Sequence, residues 1–250
     1  MTRRWLLSAS GLILLSFCAA LAVLPARWAL AVLPGSWPVA VVDAAGTLWS
    51  GSATVAIGKA AHRRTVAEPL RWRLSVTRGF QLLVSHPWLG GELILTPGWR
   101  GVGVSAQTLQ LPAAVLSTLD ARIAAIGPGG EITLTWPATF VGSDSRPTGA
   151  TLLDMRWRNA VSDLTPIQPL GDYALALKQA APGKAELILS TRQGPLMLNG
   201  SGLLDRNGGF RFDGAAQADP DASAYVQTTL RDLLVVLGPQ RNNQTLLRFH

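Results

Sequence analysis

Cysteine occurs once, at Cys18, inside an apolar N-terminal run, so no disulfide can brace the rest of the chain. Folding must then rest on a core of ordinary side chains, and 250 residues are enough for one large domain or two small ones. Charge is also scarce, at 15% of residues. The formal net charge of +7 has no dense basic stripe behind it: without Arg3, Arg4 and Arg27, 19 basic residues face 15 acidic ones, spread along the chain. That argues against nucleic acid as a partner. Histidine is limited to His62, His86 and His250, which are far apart and lack metal-ligand spacing.

The usual chemical motifs are missing as well. Asp205-Arg206-Asn207-Gly208-Gly209 starts like a calcium loop but fails at its fifth position, Gly209, and its twelfth, Ala216. Gly200-Ser201-Gly202 lacks the spacing of a nucleophile elbow. Gly101-Val102-Gly103 lacks the third glycine of a dinucleotide loop, and no helix start follows it. The acidic residues form no nameable pair. The sequence therefore offers no catalytic, cofactor-binding or metal-ligating residue, and an enzyme is not expected.

What the chain does have begins at the N-terminus. After the basic start Met1-Thr2-Arg3-Arg4, the 20 residues Trp5–Leu24 carry no charge. A helix of that length spans about 30 Å, the thickness of a bilayer's hydrocarbon core. Trp5 lies at one end, Trp28 and Trp37 follow the other, and Pro25 ends the helical pattern. Arg3 and Arg4 place the N-terminus in the cytoplasm, which sends the rest of the chain to the far side of an inner membrane. A cleaved signal peptide is the rival: the small-x-small triplets Ala20-Leu21-Ala22 and Ala29-Leu30-Ala31 fit it, and the length of the run opposes it. Phe17 before Cys18 is unsuited to a lipoprotein signal.

The expected organisation is residues 1–28 as cytoplasmic start and transmembrane anchor, 29–38 as tether, and 39–250 as a periplasmic, mainly β domain with two helices. Strands are read at Thr47–Trp49, Ser52–Ile57, Leu70–Val76, Gln81–Ser85, Glu92–Thr96, Val102–Ala106, Glu131–Trp136 and Leu152–Trp157. Asp172–Ala218 reads as a four-strand meander with turns at Pro182-Gly183, Gln193-Gly194 and Asn207-Gly208, the last suited to the positive φ of a tight hairpin. Such spacing implies an antiparallel, twisted sheet. Pro112–Asp120 is expected to form a short helix. Asp219 is expected to cap a longer one, with Val226, Leu230, Leu233, Leu234 and Leu237 on one face. Arg71-Trp72-Arg73 recurs as Arg156-Trp157-Arg158, which raises a duplication into halves 39–128 and 129–250; chance likeness between amphipathic strands explains it equally well.

One motif stands out: Gly46-Thr47-Leu48-Trp49-Ser50-Gly51. Two glycines bracket a short segment bearing a large indole. The favoured reading is a tight hairpin with Trp49 anchoring the core; the alternative is a contact surface for a partner.

The basic start and single anchor, then GTLWSGSA at residues 46–53, then LMLNGSGLLDRNGGFRFDGAA at 196–216 and the helix ending Leu233-Leu234-Val235-Val236-Leu237-Gly238, together resemble protein N of the type II secretion system. The resemblance covers nearly the whole chain and carries no catalytic residue. It implies a non-enzymatic accessory component of protein export, contacting other secretion components in the inner membrane and periplasm, with the bilayer held through Trp5–Leu24. The strand pattern is also similar to that of bridge-like membrane proteins with grooved β-sheets. A periplasmic lipid-binding role is therefore the alternative, and a second apolar sheet face left bare by helix would favour it.

Overall fold

The computed structural model describes residues 23–27, 39–58, 63–77, 79–142, 147–205, 208–241 and 244–249. The tether and all of the expected span except Val23 and Leu24 lie outside the described residues, as do Cys18, His62 and His250. Among the described residues no helix is long and apolar enough to cross a membrane.

Two antiparallel sheets make up most of the described chain. The first is built from β1 (Val39–Gly46), β2 (Ser50–Ile57), the two-residue β3 (Arg64–Thr65), β4 (Leu70–Ser75), β5 (Gln81–Ser85), β6 (Leu93–Gly98) and β7 (Gly101–Val104). The chain then passes to the second sheet as β8 (Gln107–Pro112) and turns through a 3₁₀ segment, Ala113–Thr118, and the short helix α1 (Ala121–Ile126). It comes back as β9 (Gly129–Trp136) beside β8, and continues as β10 (Thr139–Gly142), which closes the first sheet beside β7. One long hairpin thus crosses both sheets, bending in each arm where one ladder ends and the next begins. Trp136 donates its indole N–H to the Ser105 carbonyl at that bend, 3.2 Å away.

The rest of the second sheet is a meander of long strands: β11 (Thr151–Val161), β12 (Gly171–Ala181), β13 (Lys184–Gln193), β14 (Leu196–Asp205) and β15 (Phe210–Ala218). Helix α2 (Ala224–Leu237) follows, and β16 (Gln240–Arg241) and β17 (Gln244–Phe249) finish the edge. The four expected meander strands are all present. Gly183 turns with φ +75°, a left-handed value that favours glycine over residues with a Cβ. Asn207 lies outside the described residues.

Directly paired residues project to the same side of a sheet. Leu109, Leu134, Met155, Leu175, Leu189 and Gly200 therefore share a row on one face of the second sheet. The same face carries Leu187 beside Gly202, and Leu196 and Leu198 further along β14. Helix α2 contacts β15 and β17, where Leu230, Leu233 and Leu234 close on Leu170, Leu196 and Ala216 to form the main core. Over β11–β13 the face is only half-buried.

Several expectations shift. The helix starts at Ala224, not at Asp219: Ser223 is the cap, its hydroxyl accepting from the Val226 amide. Asp219 instead accepts from the Asp221 amide in a preceding turn, so the Asp-Pro signal marked the approach to the helix. The short helix expected at Pro112–Asp120 is the 3₁₀ segment, and α1 follows it. The strand expected at Thr47–Trp49 is a turn, and the hairpin partner of β2 is β1, whose sequence VAVVDAAG alternates too weakly to read as a strand. β8, β10 and β17 are further strands beyond those expected from the sequence; each is an edge or short strand stabilised by its neighbours.

Candidate functional site

The Gly46–Gly51 motif is a tight hairpin between β1 and β2. Gly46 and Gly51 are directly paired across its base. Gly46 has φ +89°, and a Cβ there would lie 2.6 Å from the Ser50 carbonyl oxygen, so only glycine fits. The Thr47 amide donates to the Ser50 carbonyl at 2.9 Å, and the Ser50 amide donates back to the Thr47 hydroxyl at 3.2 Å. Leu48 and Trp49 are left at the tip.

A second segment reads this hairpin from the side. The Leu48 amide donates to the Leu24 carbonyl at 3.0 Å, the Ala26 amide donates to the Gly46 carbonyl at 3.1 Å, and Pro25 bridges to Thr47. Ala26 is almost wholly buried. The chain emerging from the apolar run is therefore paired with the hairpin as a short strand would be.

The motif's indole is not the core anchor. Trp49 is 40% exposed, while its backbone carbonyl accepts from the Leu74 amide at 2.6 Å. The ring that packs on the hairpin belongs to Trp72 of β4. Its Nε1–H donates to the Leu48 carbonyl at 3.1 Å, and a Cβ on Gly51 would fall 2.6 Å from its ring. Gly51 is thus small so that Trp72 can lie across the ladder, and Trp49 sits partly exposed at the tip.

The chemistry around the hairpin is sparse. A cleft of about 440 Å³ beside it is lined by Ser50, Ser52, Arg71, Arg73, Ser85 and Glu92 among others. Nη2 of Arg73 donates to both Glu92 carboxylate oxygens, at 3.0 and 3.1 Å, across a solvent-exposed surface. Among the described residues no three His, Cys, Asp or Glu side chains converge as metal ligands. His86 accepts from the Trp88 amide at Nδ1, and its Nε2 faces the Glu68 carbonyl at 3.1 Å, a bracing role.

The second Arg-Trp-Arg copy repeats the arrangement of the first. Trp157 of β11 donates Nε1–H to the Gly129 carbonyl at 2.9 Å, and Arg158 pairs with Glu131 at 3.1 Å. In both copies the indole ties a strand to a distant backbone carbonyl and the following arginine meets a glutamate. Sequence reasoning found the copies but not these bonds. Tyr173, legible in the sequence as an alternating residue of the meander, tilts its ring against Trp157 and donates its hydroxyl to the Leu196 carbonyl at 3.0 Å. Desolvation by burial, and then the charge of Asp172, push the Tyr173 phenol well above its ordinary pKa.

The chain belongs to the family "Type II secretion system (T2SS), protein N", whose model matches residues 37–249. No curated protein and no solved structure gives a significant match.

Proposed function

We propose that this chain is a non-enzymatic accessory component of the type II secretion system, anchored in the inner membrane with its N-terminus in the cytoplasm and its β-sheets in the periplasm. The family match over residues 37–249 carries this reading. The uncharged run Trp5–Leu24 behind Arg3 and Arg4 supplies the anchor and its orientation. Its role in export across the outer membrane is exercised through contacts with other inner-membrane and periplasmic secretion components, and the Gly46–Gly51 hairpin is a candidate contact. Alkaline phosphatase fused after residue 60 and at the C-terminus should be active in both positions; inactive fusions would reverse the topology. A mature N-terminus near residue 23 or 32 would mean that the run is cleaved.

A second reading has a specific observation in its favour. Met155, Leu175, Leu177, Leu187 and Leu189 share an apolar sheet face that α2 covers only at its β15–β17 end. Such a face suits acyl chains, so a lipid-binding or envelope-bridging role is the alternative. Deleting the gene separates the two. Loss of secreted proteins with unchanged envelope lipids supports the export role, whereas normal secretion with a permeable outer membrane supports the lipid role.

A further inference from the structure

The hairpin tips at one end of the first sheet carry exposed apolar side chains, and that end is where the apolar run arrives. β1 and β2 turn at Leu48-Trp49, β4 and β5 turn between Ser75 and Gln81, and β6 and β7 turn at Trp99-Arg100. Trp49 stands at the first tip, Val76 (77% exposed) and Phe80 (51% exposed) at the second, and Trp99 at the third, wholly exposed. Val23, just before the segment that pairs with Leu48, is exposed as well. Isolated apolar residues on a surface need no explanation, but large ones at each of three neighbouring tips do.

Register fixes how the tips are arranged. Leu74, Leu82 and Leu95 are directly paired in one row across β4, β5 and β6. Trp49 lies level with that row, since its carbonyl accepts from the Leu74 amide. Val76 and Phe80 lie two residues beyond it, and Trp99 four. Each step of two residues is about 6–7 Å along the strands and about 10 Å across them, so the tips advance evenly along a line inclined to the strands. A single flat surface can therefore meet every tip.

We propose that this end of the sheet is seated in the headgroup layer of the bilayer that Trp5–Leu24 crosses, with Trp49, Val76, Phe80 and Trp99 as its interfacial side chains. The occupant follows from the chain itself. Leu24, the last residue of the uncharged run, accepts a hydrogen bond from the Leu48 amide within the first tip, so the bilayer surface is held within a few ångströms of Trp49. Tryptophan and phenylalanine suit that layer because large rings gain from leaving water, and the indole N–H keeps a polar partner there. Arg27, which follows the Ala26 that pairs with Gly46, and Arg100, next to Trp99 in sequence, add positive charge that favours anionic headgroups. The proposal rests on the anchored reading and adds to it. The tip end of the first sheet meets the membrane, and the second sheet, joined at the opposite ends of β7 and β10, stands off from it.

The test places a nitroxide on the full-length chain reconstituted in vesicles of phosphatidylethanolamine and phosphatidylglycerol. One sample is labelled at the native Cys18. The others carry Cys18→Ser together with Phe80→Cys, Trp99→Cys or Ile188→Cys, the last an exposed apolar position on the second sheet. Collision rates are measured with oxygen, which concentrates in lipid, and with a water-soluble nickel complex. Labels at 80 and 99 should favour oxygen at a depth shallower than Cys18, while 188 favours nickel. If 80 and 99 behave like 188 while Cys18 reads lipid, the seat is wrong and the anchor stands. Labels at 80 and 99 shielded from both reagents would show protein contact and overturn the seat too. An aqueous Cys18 would sink the anchor reading and this one with it. Because Phe80, Trp99 and Ile188 are exposed, an unchanged thermal unfolding profile is expected for these three variants and confirms that each folds.

Discussion

Trp72→Ala would remove a ring that fills the space above Gly51 and a donor that satisfies the Leu48 carbonyl. We expect it to cost about 3 kcal/mol, as other large-to-small changes at packed rings do. Trp49→Ala should cost about 1 kcal/mol or less, because much of the ring already faces solvent. Urea unfolding of the two variants side by side checks the order, and a larger loss at Trp49 would restore it as the anchor. Tyr173→Phe keeps the ring against Trp157 but deletes the hydroxyl that serves the Leu196 carbonyl, for an expected cost of about 1–2 kcal/mol. The pH dependence has a definite sign. With the folded phenol's pKa raised, the unfolded chain gives up that proton first. The stabilisation is intact below about pH 10, the ordinary tyrosine value, and declines as pH rises beyond it. Stabilities of wild type and Tyr173→Phe measured at about pH 8 and about pH 11 should therefore converge at the higher pH. The sequence could single out the hairpin because its glycines are a local demand of the backbone. It could not assign the indole, because whether Trp49 or Trp72 covers Gly51 depends on which strand pairs with β2.

Helix α2 was legible for the opposite reason: its apolar residues recur at helical spacing, and every one of the five expected on one face meets the core. Its start was misread because Asp219-Pro220 and Ser223 are both plausible starts, and only the observed bond from the Val226 amide to Ser223 decides between them. Ser223→Ala should cost about 1 kcal/mol and Asp219→Ala less, and Leu233→Ala, with its side chain enclosed, about 2–5 kcal/mol. Denaturant melts of these three variants rank the contributions. Strands followed the same rule. β12 to β15 are long, alternate clearly and are separated by glycine turns, so the meander could be read directly. β1, β8, β10 and β17 are short or weakly patterned and exist because a neighbour supplies the ladder. The pairing of residues 24–26 with the hairpin belongs to this class. Ala26→Pro removes the donor to the Gly46 carbonyl. The Leu48 amide should then exchange with deuterium faster than in wild type, and unchanged protection would mean that this pairing does not hold the hairpin.

At the scale of the whole molecule, the family was readable from the ordered combination of motifs, and the two-sheet architecture was not. The sequence suggested halves that divide at residue 128, whereas the strands interleave: β8 belongs with the second sheet and β10 with the first. Pro137 cannot donate to a ladder and so marks where β9 ends, but nothing in residues 105–106 or 137–138 announces that the strand goes on into another sheet. The junction is the long hairpin of β7–β8 against β9–β10, supported where Leu89 bridges to Leu109 and the Gln110 amide donates to the Trp88 carbonyl at 2.7 Å. Its orientation matters mechanically. A pull between the tips of β7 and β10 and the far sheet runs along these strands, so the ladder is loaded in shear and its bonds must yield together rather than open one after another like a zip. A protein so built can carry tension along its length with little extension, as a strut between one layer and whatever grips its outer sheet.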